Sequence, residues 1–313
     1  MKDFTKSTFS FVQKFKIFGI ISLILAGIGA GCFIATVFGA SPFNFDIEFV
    51  GGVSTTYNLG VKVDSTVTDK IDSIVHDVTG SYASSVQSTG SNGQSVLIKT
   101  TELTSETRDA LFDAVKEAYP DTEAGETQFI SASVGDDLKA AAVKASLLAI
   151  ILILIYITIR FEFRSGLAAV ITLCHDICIM MAMFAIFQLP VNMNFIAAAL
   201  TILGYSINAT IVVFDRVREN SKGIANLKVF GDVTDRSIRQ TLARSINTSV
   251  TTLLPVLLIL ILGVPSIQNF AIALVIGILS GTYSSVFIAG PLWVWLEEKK
   301  NGGNSPKAEA AAE

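Results

Sequence analysis

Between Leu200 and Asn220 the chain reads L-T-I-L-G-Y-S-I-N-A-T-I-V-V-F-D-R-V-R-E-N, an apolar run long enough for a membrane-crossing helix. Tyr205, Ser206, Asn208 and Thr210 fall at its mid-depth. Hydroxyl and amide groups there need a partner helix or a hydrated path, so they suggest an ion or substrate route. At helical periodicity Thr201, Tyr205, Asn208, Val212 and Asp215 form one stripe, with spacings of 4, 3, 4 and 3. Arg244, Thr248, Thr251 and Thr252 share a face of a later apolar run. Facing each other, the two stripes predict a hydrated polar seam; the competing reading is hydroxyls used as packing glue between helices.

Asp176 is the one carboxylate well inside an apolar run. A carboxylate at that depth must be neutral, paired or hydrated. It is therefore either a proton site or a structural hydrogen-bond acceptor, for Asn208 or a backbone group. His175 is adjacent, but neighbours on a helix project about 100° apart, so no relay between the two is assumed. Cys174 and Cys178 share a helix face, but His175 lies off it and the surroundings are apolar, which reads as structural thiols. No nucleotide-binding glycine loop, Walker-type lysine or nucleophile constellation is present, which excludes an ATPase. No metal or cofactor is expected.

These residues need a membrane scaffold, and composition supplies one. Of 313 residues, 51% are hydrophobic and 16% charged, which no ordinary soluble domain requires. Six segments approach the ~20 residues of a span: 17–38, 140–159, 167–187, 194–214, 246–263 and 268–296. The apolar core of the first is too long for a cleaved signal peptide. With residues 1–16 placed inside, 16 of the 23 Lys and Arg lie on the inner side. The short outer loops around Gln188–Met193 and Gly263–Ile267 carry none, so both termini are predicted to be cytoplasmic. The three cysteines, Cys32 included, sit in apolar runs and imply no disulfide framework.

Residues 39–138 then form one exterior domain, with five basic and 16 acidic residues. Such a surface argues against nucleic acid and anionic lipid, and suits a solvated exported domain. Alternation predicts strands at Val53–Leu59, Tyr82–Ser88, Ser95–Thr100 and Thr127–Ser133. Helical stripes fall at Ser65–Val78 and Ser105–Tyr119, and Gly90-Ser91-Asn92-Gly93 signals a turn. The order β-α-β-β-α-β is that of a ferredoxin-like α+β unit. The fold class is thus an α-helical polytopic membrane protein with six transmembrane helices. A five-helix membrane domain at 139–298 follows the exterior unit, and a disordered tail at 299–313 ends the chain.

Several motifs together resemble the SecF family, the small subunits of the SecDF accessory complex of bacterial protein export. Phe45-Asp46-Ile47-Glu48-Phe49-Val50-Gly51-Gly52 resembles the D-F-x-G-G signature of SecD and SecF. The Leu200–Asn220 helix, Ser133-Val134-Gly135, Tyr156–Arg164, His175-Asp176 and Arg244-Ser245 with Thr248, Thr251 and Thr252 complete the resemblance, which runs from Lys14 to Glu298. It implies half of a resistance-nodulation-division type transporter in the bacterial cytoplasmic membrane. SecD would supply the other half, with the SecYEG channel and exported preprotein as further partners and an ion gradient as the energy source.

The chain departs from the family at Ala209, where an acidic residue is usual; in the family the arginine matching Arg244 is thought to partner that acid during proton passage. Alanine carries no proton. Three readings stay open: Asp176 or a SecD carboxylate has taken over, another ion is used, or the subunit is a scaffold that stabilises SecD and the channel. Asp176, Arg244, Asn208 and Thr248 are the ion-relay candidates. Thr201, Tyr205, Ser206, Thr210 and Asp215 complete the polar set of the fourth helix. Asp46, Gly51 and Gly52 mark where the chain leaves the membrane. The loop between Asn220 and Arg239 is predicted to pack beneath the helices. Gly277, Gly281, Ser280, Ser284 and Ser285 predict a small-residue packing face, and Pro255 a bend.

Overall fold

The structure, a computed structural model, describes residues 9–90, 92–101, 103–160, 162–222, 227–262 and 265–300. The tail from 301, the first eight residues, Ser91 of the turn and residues 263–264 lie outside the described residues. In chain order the elements are α1 (Phe15–Val37), β1 (Asn44–Phe45), α2 (Ile47–Val50), β2 (Gly52–Asn58), α3 (Ser65–Thr79) and β3 (Ser85–Thr89). They continue with β4 (Ser95–Thr100), α4 (Ser105–Ala118), β5 (Glu123–Ile130), α5 (Ala132–Arg160), α6 (Phe163–Ile186) and β6 (Pro190–Val191). The chain ends in α7 (Met193–Asn220), α8 (Leu227–Leu262), α9 (Pro265–Ser284), a π-helical turn (Ser285–Ala289) and α10 (Gly290–Lys300).

The α+β unit is a four-stranded antiparallel sheet of order β3-β4-β2-β5 with β2 inside it. Helix starts follow from side-chain caps. Asp64 accepts from Val67 N at the head of α3, and Thr104 from Thr107 N at the head of α4. Gly80, in the left-handed region, closes α3. Apolar stripes of α3 and α4 (Ile71, Val75, Leu111) meet Tyr57, Val96 and Ile98 of the sheet to make the core. The last strand begins at Glu123, ahead of the predicted Thr127, and ends at Ile130. It stops there because α5 starts at Ala132 and packs Gly135 against Phe49 of α2.

Six helices are long and apolar enough to cross a membrane: α1, α5, α6, α7, α8 and the α9–α10 rod. The α6, α7 and α9 helices form the buried centre, with α1 and α5 on α6 and α8 on α7 and α9. Gly29 brings α1 so close to α6 that a Cβ there would lie 1.9 Å from the Cys178 carbonyl oxygen. Gly277 does the same between α9 and α7, where a Cβ would meet Ile202 at 2.4 Å. Small residues let helices approach where no hydrophobic driving force separates protein from lipid. The outward faces of α1, α5 and the far end of α8 are apolar and exposed, among them Leu23, Leu148 and Leu262.

Helices extend past the apolar runs. The α8 helix starts at Leu227, so the charged stretch from there to Arg244 and the fifth span form one rod that continues across Pro255. Near its start, buried Asp235 accepts from Phe11 N (2.8 Å), Val12 N (3.0 Å) and the Ser10 hydroxyl. That carboxylate ties the N-terminal segment beneath the bundle.

Candidate functional site

The α7 helix separates its polar residues by face. Ser206 and Thr210 are buried; Thr201, Asn208 and Asp215 are exposed, and Tyr205 is intermediate. Arg244, Asn247, Thr248 and Thr251 of α8 are exposed as well. The expected seam between α7 and α8 is therefore corrected. The two stripes do not face each other, because the contact between the helices is made by neighbouring positions. One bond across it is Tyr205 Oη donating to Ser249 Oγ at 2.9 Å, and Ser249 lies 2.6 Å from Thr282 Oγ1 of α9. Thr248, Thr251 and Thr252 instead donate to carbonyl oxygens of their own helix. Ala209 sits beside Asn208 and is half-buried.

Asp176 turns the other way, into the centre, and is 1% exposed. Its Oδ2 accepts from Ser206 Oγ of α7 (2.5 Å) and Ser284 Oγ of α9 (2.9 Å). Its Oδ1 accepts from Ser280 Oγ of α9 (2.7 Å) and lies 3.0 Å from His175 Nδ1. The suggested acceptor role toward Asn208 is thus corrected, since Asn208 points out of the bundle and Ser206 takes that place. No relay between His175 and Asp176 is assumed from sequence; in the structure the ring swings back to within hydrogen-bond reach of the carboxylate. His175 is also buried, its ring 6.4 Å from that of Tyr283. His175 Nε2, Thr210 Oγ1 and Ser245 Oγ are buried without a hydrogen-bond partner among the described residues. Ser280 and Ser284 were legible only as small residues; their i, i+4 spacing on an otherwise apolar helix is the signal of a shared acceptor.

A third cluster lies where the exterior domain meets the helices. Asp46, 3% exposed, accepts from Lys99 Nζ of β4 at 2.7 Å and from Asn192 Nδ2 at 3.4 Å. Asn192 also caps α7 by accepting from Phe195 N, and Glu48 accepts from Met193 N at 2.8 Å. Parallel pairing of β1 with β6 adds main-chain bonds, including Asp46 N to Val191 O at 3.0 Å. Gly51 and Gly52 both have positive φ, and a Cβ on Gly52 would lie 2.3 Å from Thr100 O. Only glycine fits that turn. Lys99, Glu48 and Asn192 were not singled out by sequence, because their partners lie far along the chain.

At the opposite end Asp215 lies 3.9 Å from Arg160 of α5, and Arg164 of α6 pairs with Glu297 of α10 at 2.6 Å. Among the described residues no cluster of His, Cys, Asp and Glu is arranged to hold a metal ion.

Six apolar helices, an α+β domain between the first two and a polar outer face define a multi-pass membrane protein. The family model described as "Protein export membrane protein SecD/SecF, C-terminal" matches residues 110–299. The protein translocase subunit SecF of Sebaldella termitidis is 38% identical over 85% of this chain and 85% of its own. SecF of Gemmatimonas aurantiaca is 35% identical over 100% of this chain and 92% of its own. The structure is similar to a crystal structure of SecDF, a translocon-associated membrane protein from Thermus thermophilus. The TM-score is 0.78 at 32% identity, over 94% of this chain and 39% of that one. The chain belongs to the SecD/SecF family of protein-export membrane proteins.

Proposed function

We propose that this chain works as the SecF-type subunit of a bacterial protein translocase, paired with a SecD-like partner. The carrying observation is that polar residues of two membrane-spanning helices, Asn208 of α7 and Arg244 and Thr248 of α8, are exposed on this subunit. An amide at mid-depth such as Asn208 is costly if left to lipid, so a second membrane body covering it is the reading this exposure supports. The family supports the choice of partner: SecDF of Thermus thermophilus is one chain, of which this sequence covers 40%. The rest of that chain is long enough for a second half of the kind alternating-access machines use.

In this reading both termini are cytoplasmic and the α+β domain is exterior, where it engages the emerging preprotein or the partner's outer domain. The complex assists the SecYEG channel with energy from an ion gradient and without nucleotide hydrolysis. Asp46, Lys99 and Glu48 carry motion between the exterior domain and the head of α7. Co-purification of the partner from native membranes tests the pairing. Its loss in Asn208→Trp, with the chain still inserted, is expected; recovery of the chain without any SecD-like protein contradicts the reading.

A second reading, favoured by Ala209, is a scaffold that stabilises SecD without ion coupling. Arg244→Ala then alters complex yield but not the response of export to the gradient. Under the coupled reading it lowers that response at unchanged yield.

A further inference from the structure

We propose that His175 and Asp176 form a proton-holding pair inside this subunit's own helix bundle, apart from the α7–α8 face, loaded and emptied at His175 Nε2. The inference rests on the ion-coupled reading for its use, but not for its existence. Three hydroxyls donate to the Asp176 carboxylate, those of Ser206, Ser280 and Ser284, and His175 Nδ1 lies 3.0 Å from Oδ1, so the two side chains share one proton across that contact. With that proton on the ring the carboxylate is ionised and accepts all four bonds; with it on the acid the carboxyl accepts three and donates one to Nδ1. Three of the donors are neutral hydroxyls and cancel no charge. A buried carboxylate in an apolar bundle therefore needs one compensating proton nearby.

The imidazole is the group placed to carry it. The elements packed on α6 offer few alternatives. Between Ile17 and Val37, α1 holds Cys32 as its one ionisable side chain, while α5 brings Lys144 and Tyr156 within its apolar length. In the membrane length of α7 the ionisable side chains are Tyr205, bonded to Ser249 of α8, and at the inner end Asp215, 3.9 Å from Arg160; in that of α9 it is Tyr283. The Glu297 of α10 is paired with Arg164. On α6 itself the neighbours are the thiols Cys174 and Cys178. None of these others hydrogen-bonds Asp176, and Tyr283 Oη is engaged with α1, donating to Phe18 O and accepting from Ser22.

The cage makes the proton exchangeable. With Nδ1–H donating to Oδ1, the ring gains or loses a proton at Nε2 alone. All four bonds to the carboxylate survive either state; the loaded pair, neutral overall, is the compensated one, and unloading leaves the carboxylate's charge on its four donors alone. His175 is 9% exposed and its Nε2 has no partner among the described residues. A buried nitrogen in that condition awaits a water or an incoming proton. Loading converts imidazole and carboxylate to an imidazolium–carboxylate pair, and unloading returns the proton to water. This pair supplies a titratable group that Ala209 does not.

The test is nitrogen-15 magnetic resonance of histidine-labelled complex with its SecD-like partner, across the pH range in which the complex stays assembled. The chain has two histidines, so the signal that His175→Gln removes is identified by difference, with His76→Gln as control. The expected result is a switch of His175 between imidazole and imidazolium, its midpoint displaced by about one pH unit or more in Asp176→Asn. Ser280→Ala, which removes one donor and keeps the carboxylate, is expected to displace it as well should Asp176→Asn fail to assemble. A His175 signal fixed in one form, or a midpoint indifferent to both variants, overturns the pair. Proton flux in proteoliposomes separates the two readings. Titration without flux overturns ion coupling and leaves the pair; flux with a non-titrating His175 overturns the pair alone. Flux reduced about ten-fold by His175→Gln at unchanged assembly supports both.

Discussion

Asp46 and Lys99 show what a single residue can fix. The carboxylate is 3% exposed and the ammonium is 2.7 Å away, so truncating either leaves the other's charge buried. Asp46→Ala is expected to cost about 3–5 kcal/mol, read as a lower midpoint in thermal unfolding, with Asp46→Leu/Lys99→Met recovering most of it. Tyr57 gives a pH dependence. Burial pushes its phenol up to about 12 from the usual 10, outweighing the nearby Arg108. Because the folded value lies above the unfolded one, this contribution is complete below pH ~10 and lost as pH rises through about 12. Alkaline unfolding of the exterior domain is expected to lessen in Tyr57→Phe, followed by circular dichroism. At this scale sequence reading finds the residues but not their partners. Asp46 with its glycines and Asp176 stand out locally by type and position, whereas Lys99 and Ser284 reach them only after the chain has folded back.

Elements were more legible, because periodicity is a local property. Alternation placed the strand Ser95–Thr100 and stripes placed α3 and α4, since burial on one face imposes both patterns. The start of β5 was missed, as Glu123–Gln128 is mostly polar and exposed at the sheet edge, which erases alternation. The α8 extension was missed as a continuous helix because its Leu227–Gln240 stretch carries charge that reads as loop. Two outcomes belong here. Thr104→Ala removes the cap of α4 and is expected to cost about 1 kcal/mol, checked by urea unfolding of the chain. Gly277→Leu forces α9 away from Ile202 at a cost of about 1–3 kcal/mol. Its expected signature is lower thermal stability in detergent with the exterior domain's own transition unchanged.

The whole molecule is an asymmetric body in the membrane plane. Its α1 and α5 helices show apolar residues outward, as lipid requires, while α7 and α8 expose Asn208, Arg244 and Thr248 among their outward residues. Sequence reading saw both stripes but joined them to each other, since it had no view of which positions the helix contact consumes. Once α7 and α8 pack through Tyr205 and Ser249, the remaining polar residues have nowhere to go but outward. In the proposed reading the subunit is half of a structure, and its partner meets these exposed residues. The direct test is photocrosslinking in native membranes, with a photoreactive residue at Asn208 and, for comparison, at Leu148 on the lipid side. The account requires a protein adduct with the SecD-like partner at Asn208 and lipid adducts at Leu148. Lipid adducts at both positions, from membranes in which the partner is present, would contradict it.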